Sequence, residues 1–339
     1  MKRQAQAGAA LLTAMIIVTL VASLASAMVW RQYRAVQIEA AERARAQAAW
    51  ILQGSLDWAR LILREDAIEN LRVAARGDPP MDHLGEVWAV PLAEARLSTF
   101  LAAEKSNAED GPEAFLSGSI EDAQSRYNLR NLLNAGPLPA LEKRVLERLC
   151  TSAAAPPGTA DLIIKQLRAA FEVPSSPASG GASAPAVADV VDRGDKGDAP
   201  LQPKTLDQLT WLGLSADTVE RLRPLLILLP SPTPVNLNTA PRDVIAALFD
   251  QMDLASAERL VQARQSTPLK TVQDSAAYFP PNVVVSPDRA ATTSSFFIVK
   301  GRLRLEERVL EERSLIQRRS RDMVVLDRRR VSQQLEGKP

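Results

Sequence analysis

The 22 positions from Ala9 to Trp30 carry no charged side chain. A helix rises about 1.5 Å per residue, so a run of this length covers the roughly 30 Å hydrocarbon core of a bilayer. Met1-Lys2-Arg3 sets cations before it, and Arg31 and Arg34 follow it. Two readings compete. One is a secretory signal with Ala25-Ser26-Ala27 as its small-residue cleavage site. Against it, no Gly or Pro lies between Gly8 and Gly54, so the apolar segment runs on into a polar helix with no loop for a peptidase to enter. The break falls ahead of the run, at Gly8. The favoured reading is a retained transmembrane segment, with Trp30 and Tyr33 as interfacial anchors where apolar sequence meets charge.

The rest of the 339 residues, with 46% hydrophobic content overall, suffices for one large or two ordinary domains with their own cores. Lys and Arg number 41 against 40 Asp and Glu, a net charge of +1, so the overall balance draws the chain neither to nucleic acid nor to an anionic membrane. One cysteine, Cys150, and one histidine, His83, exclude an intramolecular disulfide, thiolate clusters and multi-histidine metal sites.

Ala48, Leu52, Leu56, Ala59 and Leu63 recur at helical spacing and predict an amphipathic helix reaching about Ala75 that packs on a domain. Asp78-Pro79-Pro80 ends it. Short apolar pieces at Val87-Trp88-Ala89-Val90 and Phe115-Leu116 read as strands. Helix-period segments follow: Leu141, Val145 and Leu149; Ile163, Leu167 and Phe171; Val219 and Leu222. Val173 to Pro203, rich in Pro, Ser, Gly and Ala, reads as a mobile loop. Near the C-terminus Val299, Gly301, Leu303 and Leu305 alternate with Lys300, Arg302, Arg304 and Glu306, the period of a strand with one wet face. Further strands are expected over Val309 to Arg318 and Met323 to Arg329.

A short basic leader ending in Gly8 before an apolar helix resembles the class III signal of type IV pilins and pseudopilins. Asp57-Trp58-Ala59-Arg60, Leu63-Arg64-Glu65-Asp66, Asn128 to Leu132, Leu222-Arg223-Pro224 through Leu229-Pro230, Val235-Asn236-Leu237-Asn238-Thr239-Ala240 and Phe296 to Leu305 together resemble the K-type minor pseudopilins of type II secretion. Position five after Gly8 is Thr13, where most family members have Glu; that absence is characteristic of the K type, and a carboxylate left unpaired in hydrocarbon is costly.

The resemblance implies an α+β fold: a pilin-like domain, formed by a long N-terminal transmembrane helix and an antiparallel sheet, interrupted by an all-α inserted domain. The expected segments are a leader (1–8), a transmembrane part (9–30), the first pilin-like part (31–133), an inserted α domain (134–290) whose 173–203 stretch is a flexible loop, C-terminal strands (291–330) and a tail (331–339). It further implies cleavage by prepilin peptidase between Gly8 and Ala9, N-methylation of Ala9, and an inner-membrane location with periplasmic domains. The implied partners are the I- and J-type minor pseudopilins, met through the stripe of Ala48, Leu52, Leu56, Ala59 and Leu63, then the H type and the major pseudopilin. The outer-membrane secretin and secreted substrates complete the set. The implied role is initiation of the pseudopilus at its tip in support of protein export, without enzymatic activity.

Four other features carry alternatives. Thr239-Ala240-Pro241 opens a helix with Thr239 expected as its cap, and Leu254 to Arg264 makes a second, so the pair resembles a helix-hairpin-helix. That motif suggests a DNA-binding component of a DNA-uptake pilus, but Asp250-Gln251-Met252-Asp253 lacks Gly and puts two negative charges where phosphate would sit, so no nucleic-acid partner is expected. Asp192, Asp195 and Asp198, with Gly194 and Gly197 between them, invite calcium. Their spacing fits no EF-hand loop, and the acidic Gly-Ala-Glu-Asp-like segment of calcium-binding K-type relatives is not recognisable, so the reading is a solvated turn and no cofactor is assigned. His83 beside Asp82, with a serine such as Ser119, would make a hydrolase only with a nucleophile elbow, which is missing. Cys150 reads as a small core residue, with pairing between chains as the alternative for a periplasmic free thiol.

Overall fold

The computed structural model describes residues 7–97, 114–133, 139–171, 200–305 and 308–334. It separates into two compact units, Met1–Ser55 and Leu56–Pro339. Helix α1 (Ala7–Ala75) contributes to both.

In the first unit α1 is unbroken, and Gly8 lies within the helix instead of at a break before it. Leu11, Leu12, Ile16, Leu20, Leu24 and Val29 are exposed on it, the all-round apolar character of a segment whose solvent is lipid. At its other end α1 stops in a Schellman arrangement: Gly77, at φ +89°, donates to the Ala74 carbonyl at 3.0 Å, and Asp78 donates to Val73 at 3.3 Å. Glycine is needed there because the left-handed conformation penalises a Cβ; Pro79-Pro80 then forbids resumption.

The second unit is built on a five-stranded antiparallel sheet in the order β1 (Leu92–Arg96), β2 (Ala114–Asp122), β7 (Phe296–Leu305), β8 (Arg308–Arg319) and β9 (Asp322–Gln334). The alternation at Val299 to Leu305 is realised in β7, which pairs Val299 with Ile120 and Leu303 with Leu116. Gly118 faces Gly301 across β2 and β7, and a Cβ on Gly118 would meet the Lys300 carbonyl oxygen at 2.8 Å. Strand β9 runs to Gln334, beyond the tail boundary expected at 331.

Leu56, Ala59, Leu63 and Ala67 of α1 close one face of this sheet, packing with Trp88, Ile120, Phe297, Val299, Ile316 and Met323. Trp88 meets Phe297 edge to face, centroids 5.3 Å apart. Trp88 explains why Val87-Trp88-Ala89-Val90 is no strand: the segment winds into a 3-10 turn (Val87–Ala89) that drives the indole into the core and leaves Val87 and Val90 exposed.

Between β2 and β7 the chain leaves the sheet and builds a second core. Short strands β3 (Tyr127–Asn128) and β4 (Leu226–Ile227) pair in parallel, as do β5 (Val235–Asn236) and β6 (Ala290–Ala291). Helices α2 (Ala140–Ser152), α3 (Thr159–Ala170), α4 (Ala216–Leu222), α5 (Arg242–Leu248) and α6 (Leu254–Ser266) surround Leu129, Leu146, Ile163, Leu209, Leu222, Ile245 and Leu260. Tyr127, Leu129 and Leu132 already belong to this core, so it starts ahead of the boundary expected at 134. Phe296, Ile298 and Leu315 of the sheet pack with Ala123, Ile227 and Leu229 to join the two cores.

Candidate functional site

Within the apolar segment of α1, Thr13, Thr19, Ser23 and Ser26 each return their hydroxyl to a carbonyl about one turn back: Thr13 to Ala10 and Ser26 to Ala22 at 2.9 Å, Thr19 to Ile16 and Ser23 to Leu20 at 2.9 Å. Every hydroxyl of the run is therefore satisfied inside the helix, the condition for burial in hydrocarbon. Trp30 and Tyr33 are exposed and flank the same small-residue patch as Ala25, Ser26 and Val29. One helix among the described residues is long and apolar enough to cross a membrane. Gly8 and Ala9 lie in its first turns.

The five residues expected to receive partner helices are placed differently. Leu56, Ala59 and Leu63 are 2%, 7% and 0% exposed and are consumed by the chain's own sheet core; Ala48 and Leu52 are buried as well. The correction is physical: periodicity marks a face that is buried, without saying against what. The side chains of α1 that remain exposed beyond Leu56 include Leu61 and Trp58.

The most elaborate polar constellation lies where α1, the sheet and the helical insertion meet. Asp122, at the end of β2, is 3% exposed. Its carboxylate accepts from Gln124 N at 2.7 Å, Asn236 Nδ2 at 3.0 Å, Thr239 Oγ1 at 2.6 Å and Ser294 Oγ at 2.6 Å. Burial pushes this carboxyl above its ordinary range, the donors from Ser294, Thr239 and Gln124 pull it back, and Asp82 adds to the rise. Asp82 is fully buried and accepts from Asn70 Nδ2 at 3.0 Å, Ser294 N at 2.5 Å and the Arg318 guanidinium. Arg318 also donates to Asp66 Oδ2 at 2.6 Å and to the Ser294 carbonyl at 2.5 Å, and stacks over Phe297 at 5.0 Å. Glu86 completes the group, accepting from His83 N at 3.0 Å and Trp88 Nε1 at 2.5 Å. Oxygens of Asp66, Asp82 and Glu86 lie within 4.8 Å of one another.

The sequence marks none of Asp122, Ser294 and Arg318 as functional, and Asp82 only as the neighbour of His83. The available signal was the run Val235 to Ala240, where Asn236, Asn238 and Thr239 alternate with buried Val235, Leu237 and Ala240; alternating buried polar groups need partners. Asn236 Nδ2 also donates to the Asp82 carbonyl at 3.1 Å. Thr239 is accordingly not the cap of α5: its hydroxyl serves Asp122, and Pro241 occupies the cap position.

The helical hairpin α5–α6 is tied down within the chain. Asp250 receives Arg144 at 2.5 Å and is also paired with Arg148, which donates to the Ala247 and Phe249 carbonyls at 2.8 and 2.7 Å. Gln251 takes φ +64°, and Asp253 caps α6 through Ser256 N at 2.7 Å. The last carbonyls of α5 are thus engaged by α2. His83 Nδ1 accepts from Gly85 N at 3.1 Å, and Ser119 stands opposite Lys300 in the β2–β7 ladder. Cys150 is buried in the helical core. Asp192, Asp195 and Asp198 lie outside the described residues.

A single apolar anchor helix, a sheet closed by the outer part of that helix, and a helical body inserted between two hydrogen-bonded neighbours of the sheet define a pilin-like subunit with an interrupted sheet. Residues 125–231 and 235–281 each match a family model described as type II secretion system protein K. The type II secretion system protein K of Klebsiella pneumoniae is 28% identical over 96% of this chain and 96% of its own length. That of Pectobacterium carotovorum is 25% identical over 96% and 97%, and that of Pseudomonas aeruginosa 28% identical over 77% and 73%. A chain in the crystal structure of the GspK-GspI-GspJ complex from enterotoxigenic Escherichia coli superposes with a TM-score of 0.61 at 19% identity, over 86% of this chain and 98% of that one. The chain is similar to type II secretion system protein K over most of its length, and the matches support the role of a minor pseudopilin in type II secretion.

Proposed function

We propose that this chain is the tip subunit of the type II secretion pseudopilus, starting filament assembly together with I- and J-type minor pseudopilins. The single observation that carries this reading is the position of the helical body: it leaves the sheet after Asp122 and returns at Phe296, strands that are hydrogen-bonded neighbours. A body of that bulk on one side of a pilin-like sheet suits a subunit with nothing stacked above it. The E. coli relative occurs in a solved assembly with I and J subunits, which supports the same partners here.

On this reading prepilin peptidase cuts between Gly8 and Ala9, and Ala9 becomes the methylated terminus. The segment from Ala9 to Trp30 stays in the inner membrane, with Trp30 and Tyr33 at its interface. Both domains lie in the periplasm. The H-type and major pseudopilins join beneath the tip, and the filament works with the outer-membrane secretin on folded substrates. The chain acts by contact, without catalysing a reaction. Since Leu56, Ala59 and Leu63 are buried in the chain itself, the partner surface beyond Leu56 is drawn from the exposed side of α1, including Leu61. The test is co-expression of the full-length chain with I- and J-type pseudopilins, followed by purification on a tag carried by the J type. Recovery of a three-component complex, weakened by Leu61→Glu, is the expected result. Failure of the unaltered chain to co-purify would overturn the proposal.

A further inference from the structure

Three carboxylates and one guanidinium meet beneath Trp88. Asp66 comes from α1, Asp82 and Glu86 from the segment that follows it, and Arg318 from the end of β8. Arg318 divides its donors among Asp66, Asp82 and the Ser294 carbonyl, so Glu86 is left to the His83 amide and the Trp88 indole. If all three carboxylates were ionised, the cluster would hold two uncompensated negative charges. Other titratable groups nearby do not relieve this: His83 is kept from charging by its burial, and Asp122, at the end of β2, adds a further carboxylate. Asn70, Asn236 and Ser294 are neutral.

We propose that the cluster of Asp66, Asp82 and Glu86 around Arg318 retains a shared proton near neutral pH, and that this proton sets how firmly α1 is fastened to β8. Like charges sharing a partly buried site cannot all ionise together. Burial first, then Glu86 and Asp82, push the Asp66 carboxyl up from its ordinary 3.8 to about 7, against the pull of Arg318. Burial likewise raises Glu86. A carboxyl raised in the folded state adds stability that is fully present below its unfolded value near 3.8 and is lost as pH rises through about 7. The fastening of α1 is therefore firm in acid and loosens towards alkaline pH, the reverse of an ordinary exposed ion pair. Arg318 already occupies Asp66 Oδ2 and Asp82 Oδ2.

The experiment uses the full-length chain in detergent micelles, comparing wild type with Asp66→Asn and Glu86→Gln by thermal melting from about pH 5 to pH 9. The wild-type Tm is expected to fall between about pH 5 and about pH 7 and to level off above it, and Asp66→Asn to remove that fall. Infrared spectra of the wild type should show a protonated-carboxyl C=O band that titrates away with a midpoint near 7. Glu86→Gln should bring that midpoint down by about one pH unit, since it removes a neighbouring negative charge. A wild-type spectrum with no band titrating between pH 6 and 8 overturns the proposal, even where Asp66→Asn fails to fold. So does an Asp66→Asn protein that keeps the wild-type pH profile, or a Glu86→Gln protein with an unmoved midpoint.

Discussion

Asn236 Nδ2 lies 3.0 Å from Asp122 Oδ2, and this contact joins the last residue of β2 to the parallel pair β5–β6 of the helical insertion. Through the same amide Asn236 reaches the Asp82 carbonyl and the Ser294 hydroxyl. The points where the chain departs from the sheet and returns to it are therefore held by one side chain. An inserted domain fastened at both crossings behaves as part of the sheet.

Asp122→Ala leaves the donors of Gln124, Asn236, Thr239 and Ser294 without their acceptor, and each buried unsatisfied donor costs about 1–3 kcal/mol. Partial rearrangement reduces the sum, so a loss of roughly 3–5 kcal/mol is expected in a urea titration of the solubilised protein. Asp122→Asn should cost less than half as much, because burial already disfavours the charge and the amide keeps an acceptor oxygen. Equal losses for the two variants would contradict the hydrogen-bond account.

Leu63 and Leu61 sit two positions apart on α1 with opposite fates, 0% and 55% exposed. Leu63→Ala opens a cavity beneath the sheet and should destabilise by about 2–5 kcal/mol. Leu61→Ala should stay within about 0.5 kcal/mol of wild type, while weakening recovery of partner subunits. A large stability loss at Leu61 would show that α1 has been assigned the wrong buried face.

Much of this was legible in advance, and the exceptions have physical causes. The extent of α1, the alternation in β7 and the helical periods of Leu141 to Phe171 are local patterns, and local patterns report local structure. Val87 to Val90 were misread as a strand because a short apolar run does not distinguish a ladder from a 3-10 turn that plants one aromatic ring. The stripe from Ala48 to Leu63 announced a buried face, but the partner of Leu56, Ala59 and Leu63 is this chain's own sheet, formed from strands that begin tens of residues later. The Asp66–Arg318 contact spans 252 positions, and nothing in the neighbourhood of either residue indicates the other. Thr239 had the sequence of a helix cap, and tertiary structure claimed its hydroxyl for Asp122.

Cys150 is buried and its thiol is pushed up to about 11, burial first and Glu147 second. The thiolate is the reactive form, so alkylation by iodoacetamide at pH 8 should be at least about tenfold slower than for a free cysteine, and should become rapid only on unfolding. Reaction at the free-cysteine rate in the folded protein would place the residue at the surface.

If the chain is a minor pseudopilin held in the membrane by a processed N-terminal helix, its mature terminus records the cut. The most direct measurement is the N-terminus of the mature protein, read by mass spectrometry of membranes from cells with and without prepilin peptidase. A methylated Ala9 terminus that depends on the peptidase is the predicted result. A soluble product beginning at Met28, after Ala25-Ser26-Ala27, would contradict it.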